Sequence, residues 1–162
     1  FWSAGCSIGC EPYTLAIILD ELDSSSRHSI LATDVDLPIL ARARAGTGYQ
    51  SHEVQAVPPE LLKKYLVPTP GGTFDVNPVL KRRITFRRHD LLTDRYPSGL
   101  DVIVCRNVVI YFNEEAKRHL YAGFANALRP GGLLFLGGSE MIMRSHDFGF
   151  RIAGTSIYEK AA

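Results

Sequence analysis

Residues 1–36 constrain the fold of this chain more than any other stretch. An apolar entry, Phe1-Trp2, runs into Ser3-Ala4-Gly5-Cys6-Ser7-Ile8-Gly9-Cys10-Glu11-Pro12-Tyr13. A helical pattern follows, and then Ser29-Ile30-Leu31-Ala32-Thr33-Asp34-Val35-Asp36. The order reads as strand, glycine turn, helix and a second strand ending in acid. Such a unit brings backbone N–H groups to one end of a ligand and a carboxylate to the other. That is the layout of a nucleotide-type cofactor site, so the chain reads as an enzyme.

The rest of the pattern extends this beginning. Pro12 suits a first helical position, and Leu15, Ile18, Leu19 and Leu22 repeat as an apolar helix face. Ser24-Ser25-Ser26 is expected to end that helix. Ile30 to Thr33 reads as a short buried strand, and Asp36 as the cap of a helix stopped by Gly46. Residues 47–84 interrupt the alternation. Pro58-Pro59-Glu60 opens a short helix, Pro68 to Gly72 makes a turn, and Phe74-Asp75-Val76 and Ile84-Thr85-Phe86 alternate as short strands. The rhythm resumes with the continuous apolar run Asp101-Val102-Ile103-Val104-Cys105, a strand buried on both faces. Asn113 reads as a helix cap favoured by Glu114 and Glu115. Arg129-Pro130-Gly131-Gly132 ends that helix before the strand Leu133 to Gly137, and Phe148 to Tyr158 reads as a closing hairpin. The expected architecture is α/β: a mostly parallel sheet with a C-terminal antiparallel hairpin, as one domain over residues 1–162 with a small β insertion at about 47–84.

Composition narrows the function classes. The chain has 162 residues, 46% hydrophobic and 22% charged, with a formal net charge of +1. That balance gives no general case for nucleic acid or membrane surfaces. No apolar run is long enough to span a bilayer. Three cysteines, Cys6, Cys10 and Cys105, provide no disulfide framework and suit a reducing compartment. Cys6 and Cys10 alone are too few for a structural zinc site, so no metal is expected. Phe1 already lies in what reads as a core strand. The chain is therefore expected to be a piece of a longer protein, with functional residues upstream.

The glycine turn admits three ligand chemistries. Gly5-Cys6-Ser7-Ile8-Gly9 matches the G-x-S-x-G nucleophile elbow of hydrolases. That reading needs an acid and a histidine downstream, and His89, His119 and His146 stand in no clear context for it. The dinucleotide fingerprint G-x-G-x-x-G is not met, because position 7 is serine, although Asp34 suits ribose hydroxyls in either case. A relaxed glycine turn with an acid after the second strand favours S-adenosylmethionine (SAM). A tight turn without a ligand is the remaining alternative.

Taken in order, the motifs closely resemble the CheR family of chemotaxis protein-glutamate methyltransferases. The carriers are Trp2-Ser3-Ala4-Gly5-Cys6-Ser7 with Gly9, Glu11-Pro12-Tyr13, Ala32-Thr33-Asp34-Val35-Asp36 and Ala43-Arg44-Ala45-Gly46. Cys105-Arg106-Asn107-Val108-Val109-Ile110-Tyr111-Phe112 is the most specific. Leu128-Arg129-Pro130-Gly131-Gly132-Leu133-Leu134-Phe135 and Gly138-Ser139-Glu140 complete the set. The resemblance implies a class I SAM-dependent methyltransferase fold, Rossmann-like, with S-adenosylhomocysteine as product. It implies cofactor contacts at Glu11, Asp34, Asp90, Leu91, Arg106 and Asn107, and an active-site tyrosine at Tyr111. It further implies a cytoplasmic protein whose partners are the cytoplasmic helices of methyl-accepting chemotaxis receptors and an N-terminal helical domain of the same protein. Two departures stand out. The family's usual Thr-Gly-Glu-Glu-Pro-Tyr is Ile8-Gly9-Cys10-Glu11-Pro12-Tyr13 here, and its asparagine after the fourth strand is Asp90. Cys10 leaves open a second reading, a SAM-binding sensory module without catalysis.

Each candidate also has an ordinary alternative. Asp34 can accept hydrogen bonds from both ribose hydroxyls or cap the next helix, for which Asp36 is better placed. Glu11 can meet the cofactor's ammonium group or act as a helix-dipole charge. Asp90 can bind the adenine amino group, with a backbone contact at Leu91, or be a solvated turn acid. Asn107 can position the methionyl end, with Arg106 contributing through its backbone, or both can be plain strand-end polar residues. Tyr111 is either a substrate-positioning hydroxyl or a core aromatic beside Phe112. Arg82, Arg83, Arg87 and Arg88 form either a solvated face or a surface for an acidic receptor helix.

Overall fold

The computed structural model describes residues 1–25 and 28–161. In chain order the elements are β1 (Trp2–Ala4), α1 (Cys10–Leu22), β2 (Ile30–Asp34), α2 (Leu37–Ala45), α3 (Ser51–Val54), α4 (Pro59–Tyr65), β3 (Leu66–Pro68), β4 (Phe74–Val76), α5 (Pro78–Lys81), β5 (Ile84–Arg88), β6 (Leu100–Cys105), α6 (Glu114–Ala127), β7 (Leu128–Leu136), β8 (Phe150–Gly154) and β9 (Ile157–Lys160). Short 3-10 turns occupy Val109–Tyr111 and Ser145–Phe148. The chain forms two compact units, Cys6–Arg88 and Phe1–Gly5 with His89–Ala162.

In the Cys6–Arg88 unit, β2 and β5 pair in parallel from Ile30 opposite Ile84 to Asp34 opposite Arg88. The Asp36 side chain accepts the Ile39 N–H and caps α2, and Gly46 ends it at φ 59°. Both sequence expectations hold there. The insertion's hairpin is β3–β4, with Leu66 opposite Val76. The strand expected at Ile84-Thr85-Phe86 belongs to β5, paired with β2.

Helix α1 differs from its sequence reading in two respects. It begins at Cys10 with Gly9 as N-cap at φ 96°, and Pro12 is its third residue. A proline is tolerated there because first-turn N–H groups lack helical partners in any case. Its buried residues are Pro12, Tyr13, Ala16, Ile17 and Leu19, while Ile18 and Leu22 are exposed. The helix is apolar on most sides from Leu15 to Leu19, so spacing alone admits more than one face. The helix ends with Asp23 as its C-cap; Ser26, part of the expected stop, lies outside the described residues. An ion pair between Arg83 and Asp20 at 2.7 Å anchors the helix's last turn, and Arg83 also donates to the Ser24 carbonyl. Arg83 is thereby drawn out of the basic cluster that the sequence suggests.

In the other unit the strand order is β1-β6-β7-β9-β8. β1 pairs in parallel with β6, Trp2 opposite Ile103, and β6 in parallel with β7, Cys105 opposite Leu136. β9 joins β7 antiparallel and β8 closes the expected hairpin. Ile103, Val104 and Cys105 are all buried, as expected of a strand covered on both faces, while Asp101 at the start of the run is exposed and Val102 half-buried. Trp2 is fully buried and meets the rings of His89, Tyr96 and Phe124 edge-on at 5.3–5.8 Å. A β-carbon on Gly123 of α6 would fall 2.4 Å from the Tyr96 ring, so only glycine lets the helix settle on that cluster. Asn113 caps α6 by accepting the Ala116 N–H. β7 starts at Leu128, directly after α6, rather than beyond the glycines at 131 and 132.

Candidate cofactor and active site

The glycine turn is held by one carboxylate and one phenol. Cys6 donates its N–H to the Thr33 carbonyl at 2.8 Å, and Ser7 donates its N–H to Asp34 Oδ2 at 2.8 Å. Ser7 has φ 48°, a conformation that L side chains adopt at a cost. The Asp34 bond fixes the turn in it. Asp34 Oδ1 accepts the Asp36 N–H at 3.1 Å. Two amides use about half of a carboxylate's four acceptor sites, and Asp34 is only half-buried. The capping alternative therefore falls to Asp36, while Asp34 keeps capacity for two further donors, as a ribose edge would require.

On the other side of the turn, the Tyr49 hydroxyl donates to the Ile8 carbonyl at 2.6 Å, and the Tyr13 hydroxyl donates to the Ala43 carbonyl at 2.9 Å. A β-carbon on Gly9 would lie 3.1–3.2 Å from Ala43, Tyr13 and Tyr49. Tyr49 has no role in the sequence reading. It lies 41 residues from Ile8, and nothing local announces the bond. Glu11 occupies the first turn of α1, where a negative charge is favoured. Burial, together with the charges of Asp34 and Glu11, pushes the Cys6 thiol up to about 12. Cys6 therefore stays protonated at neutral pH and is no nucleophile. Cys10 is half-buried, with its Sγ 3.9 Å from the Glu53 carbonyl.

In the second unit, Asp90 Oδ1 accepts the Leu92 N–H at 2.9 Å, and the Leu91 carbonyl accepts the Tyr96 hydroxyl at 2.8 Å. Asp90 thus shapes its own turn. The loop after β6 carries the remaining candidates. Asn107 is exposed and has φ 58°. The Arg106 guanidinium sits over the Phe135 ring at 5.5 Å. Tyr111 closes the 3-10 turn and is 81% exposed, which removes the core-aromatic alternative. The organiser of this loop is Glu140, only 5% exposed, which the sequence reading names only as part of a motif. Among the described residues, no group of three or more His, Cys, Asp or Glu side chains is placed to hold a metal ion. Among those residues, too, no helix is long and apolar enough to cross a membrane.

Solved structures share the fold. The glycopeptide N-methyltransferase MtfA complexed with sinefungin superposes with a TM-score of 0.54 at 15% identity, over 83% of this chain and 41% of that one. The [4+2]-cyclase SpnF gives 0.52 at 15% identity, over 83% and 36%. The fold is that of class I SAM-dependent methyltransferases. Residues 1–158 match the family described as CheR methyltransferase, SAM binding domain, and the chain belongs to that family. SAM is accordingly its cofactor. The chain is 44% identical over 159 residues to a chemotaxis protein methyltransferase of Listeria innocua serovar 6a, covering 98% of this chain and 60% of that protein. It is 38% identical to chemotaxis protein methyltransferase 1 of Pseudomonas aeruginosa, over 90% and 56%. With the Escherichia coli K12 chemotaxis protein methyltransferase it shares 35% identity, over 97% and 57%. The chain spans about three fifths of the length of these relatives. The hydrolase and dinucleotide readings of the glycine turn give way to this family.

Proposed function

We propose that this chain is the cofactor-binding and catalytic part of a protein-glutamate O-methyltransferase that methylates glutamates on the cytoplasmic helices of methyl-accepting chemotaxis receptors. The observation that carries the reading is the family match along residues 1–158. The relatives named as chemotaxis protein methyltransferases support it.

In this reading Asp34 accepts the two ribose hydroxyls with the acceptor sites that its turn leaves over. Glu11 meets the ammonium group, Asp90 and Leu91 meet the adenine, and Asn107 with the Arg106 backbone meets the methionyl end. The exposed Tyr111 hydroxyl orients the incoming carboxylate. The helical N-terminal domain implied by the family resemblance works with these residues. The cofactor, when bound, would supply an electrophilic methyl for the glutamate oxygen and leave as a neutral thioether. A substrate glutamate is ionised at neutral pH, its ordinary pKa being about 4.3. No general base is needed. The protein's task is alignment and the exclusion of water around the carboxylate.

The test is calorimetric titration of S-adenosylhomocysteine, together with labelled-methyl incorporation into receptor by the full-length protein. Saturable binding that Asp34→Ala abolishes, with ester formation on receptor glutamates, is expected. Methyl transfer that survives Asp34→Ala would overturn the assignment of that residue. Binding without any methyl incorporation would favour the sensory-module reading that Cys10 leaves open.

A further inference from the structure

Glu140 is a nearly fully buried acid whose partners are backbone amides. Its Oε2 accepts the N–H groups of Asn107 at 2.9 Å and Gly137 at 2.7 Å. Its Oε1 accepts those of Val108 at 3.0 Å and Ile110 at 3.2 Å. The first, third and fourth of these belong to the loop that carries Arg106, Asn107 and Tyr111. Converging N–H groups form a nest for an anion, and here the nest is filled by the chain's own carboxylate. Four amides match the four acceptor sites of a carboxylate.

Two glycines make room for this arrangement. A β-carbon on Gly137 would lie 2.7 Å from Glu140 Oε2 and 3.0 Å from the Asn107 nitrogen. A β-carbon on Gly5 would lie 2.5 Å from Cγ2 of Val108, a residue whose N–H Glu140 holds. The ends of β1, β6 and β7 therefore meet around one carboxylate. Asn107 sits at φ 58°, a left-handed conformation that asparagine tolerates better than most residues, and Glu140 accepts its N–H there.

We propose that Glu140 is a positioning residue for the reaction. By gathering the amides of Asn107, Val108 and Ile110, it presets the loop that presents Asn107 to the methionyl end of the cofactor and Tyr111 to the substrate carboxylate. The proposal rests on the cofactor reading above. Glu140 touches neither ligand; it acts through the loop. A loop set in advance loses little freedom when cofactor binds, so loosening it weakens binding and turnover together.

The test compares wild type, Glu140→Gln and Gly137→Ala in the full-length protein. Glu140→Gln replaces one acceptor oxygen by a donor facing amide donors. Gly137→Ala disturbs the same nest and leaves the carboxylate in place. Four readouts are needed: melting temperature, the Kd of S-adenosylhomocysteine, kcat and KM for SAM, and amide exchange at 107, 108 and 110. Removing a charged hydrogen-bond partner is expected to weaken cofactor binding about tenfold or more. A fall in kcat and faster exchange confined to those amides should accompany it. A lower melting temperature with unchanged Kd, kcat and KM in a folded variant would overturn the proposal, leaving Glu140 a role in stability alone. If Glu140→Gln fails to fold, Gly137→Ala decides by the same criteria. Absence of S-adenosylhomocysteine binding by wild type would instead sink the cofactor reading, and the proposal with it. Binding by wild type that Asp34→Ala abolishes, alongside unaffected Glu140 and Gly137 variants, would sink the proposal alone.

Discussion

Asp34 and Glu140 both accept backbone N–H groups from a turn, and the difference between them lies in what they have left. Asp34 is half-buried, takes one amide on each oxygen, and pins a serine at positive φ while keeping acceptor sites open. Glu140 is buried and takes two amides on each oxygen. A half-used carboxylate at a strand end is equipped to meet a ligand's hydroxyls. A saturated one is equipped to fix backbone. Two acids with the same kind of partner thus differ in what remains to them: one keeps acceptor sites over, the other has spent its own on backbone.

The sharpest way to break this contrast is at Asp34. Asp34→Ala removes the proposed ribose acceptor and the Ser7 pin together. Two hydrogen bonds to a charged acceptor contribute about 3 kcal/mol or more, so S-adenosylhomocysteine affinity should fall about a hundredfold. Asp34→Asn keeps one acceptor oxygen and should lose less. Equal affinity for wild type and both variants in titration would mean that the open acceptor sites have no ligand role. The second test concerns the reach of the saturated acid. Gly5→Ala pushes a methyl against Val108 at positive φ and should destabilise the chain by about 2–3 kcal/mol in denaturant unfolding. Adding Val108→Ala should restore the steric part, so the double variant is less destabilised than the two single effects summed. Strict additivity would show that the two strand ends do not press on each other.

The open carboxylate is legible in the sequence and the saturated one is not, for a physical reason. Asp34 ends a short apolar strand after a glycine turn and helix, a local order that the structure reproduces in α1 and β2 with the Asp34 carboxylate bonded back to the turn. The donors that surround Glu140 come from positions 107, 108, 110 and 137, and no periodicity encodes their convergence. The same limit applies to β5: its alternation marks a strand, but its pairing with β2 is a tertiary fact. In α1 the apolar residues run nearly all round, so the choice of Tyr13, Ala16 and Ile17 as the buried face belongs to packing. Caps are the opposite case. Asp36, Gly46 and Asn113 read correctly because the cap bond is made within a few residues of the cap. Tyr49 is a further residue visible only in three dimensions. Tyr49→Phe removes its bond to the Ile8 carbonyl, which should cost about 1 kcal/mol in unfolding experiments and weaken S-adenosylhomocysteine binding a few-fold. An unchanged affinity would limit the phenol to stabilising the turn.

The smallest expected effect reports on the charge of the open acids. Burial is the main reason that the Cys6 thiol is raised from 9.0 to about 12, and the charges of Asp34 and Glu11 add to it. An acid whose folded pKa is raised leaves the folded chain holding a proton that the unfolded chain releases. Stability is therefore unaffected by Cys6 below about pH 9 and falls as pH rises from there toward 12. Tyr13, raised from 10.0 to about 12 chiefly by burial, acts in the same direction over the upper part of that window. Cys6→Ala should flatten the alkaline decline in melting temperature, whatever constant loss its buried volume brings at every pH. Asp34→Ala should lower the Cys6 midpoint only partly, because desolvation remains. A midpoint that did not move would mean that the Asp34 charge is screened from the turn, and the contrast between an open and a saturated carboxylate would then rest on hydrogen bonding alone.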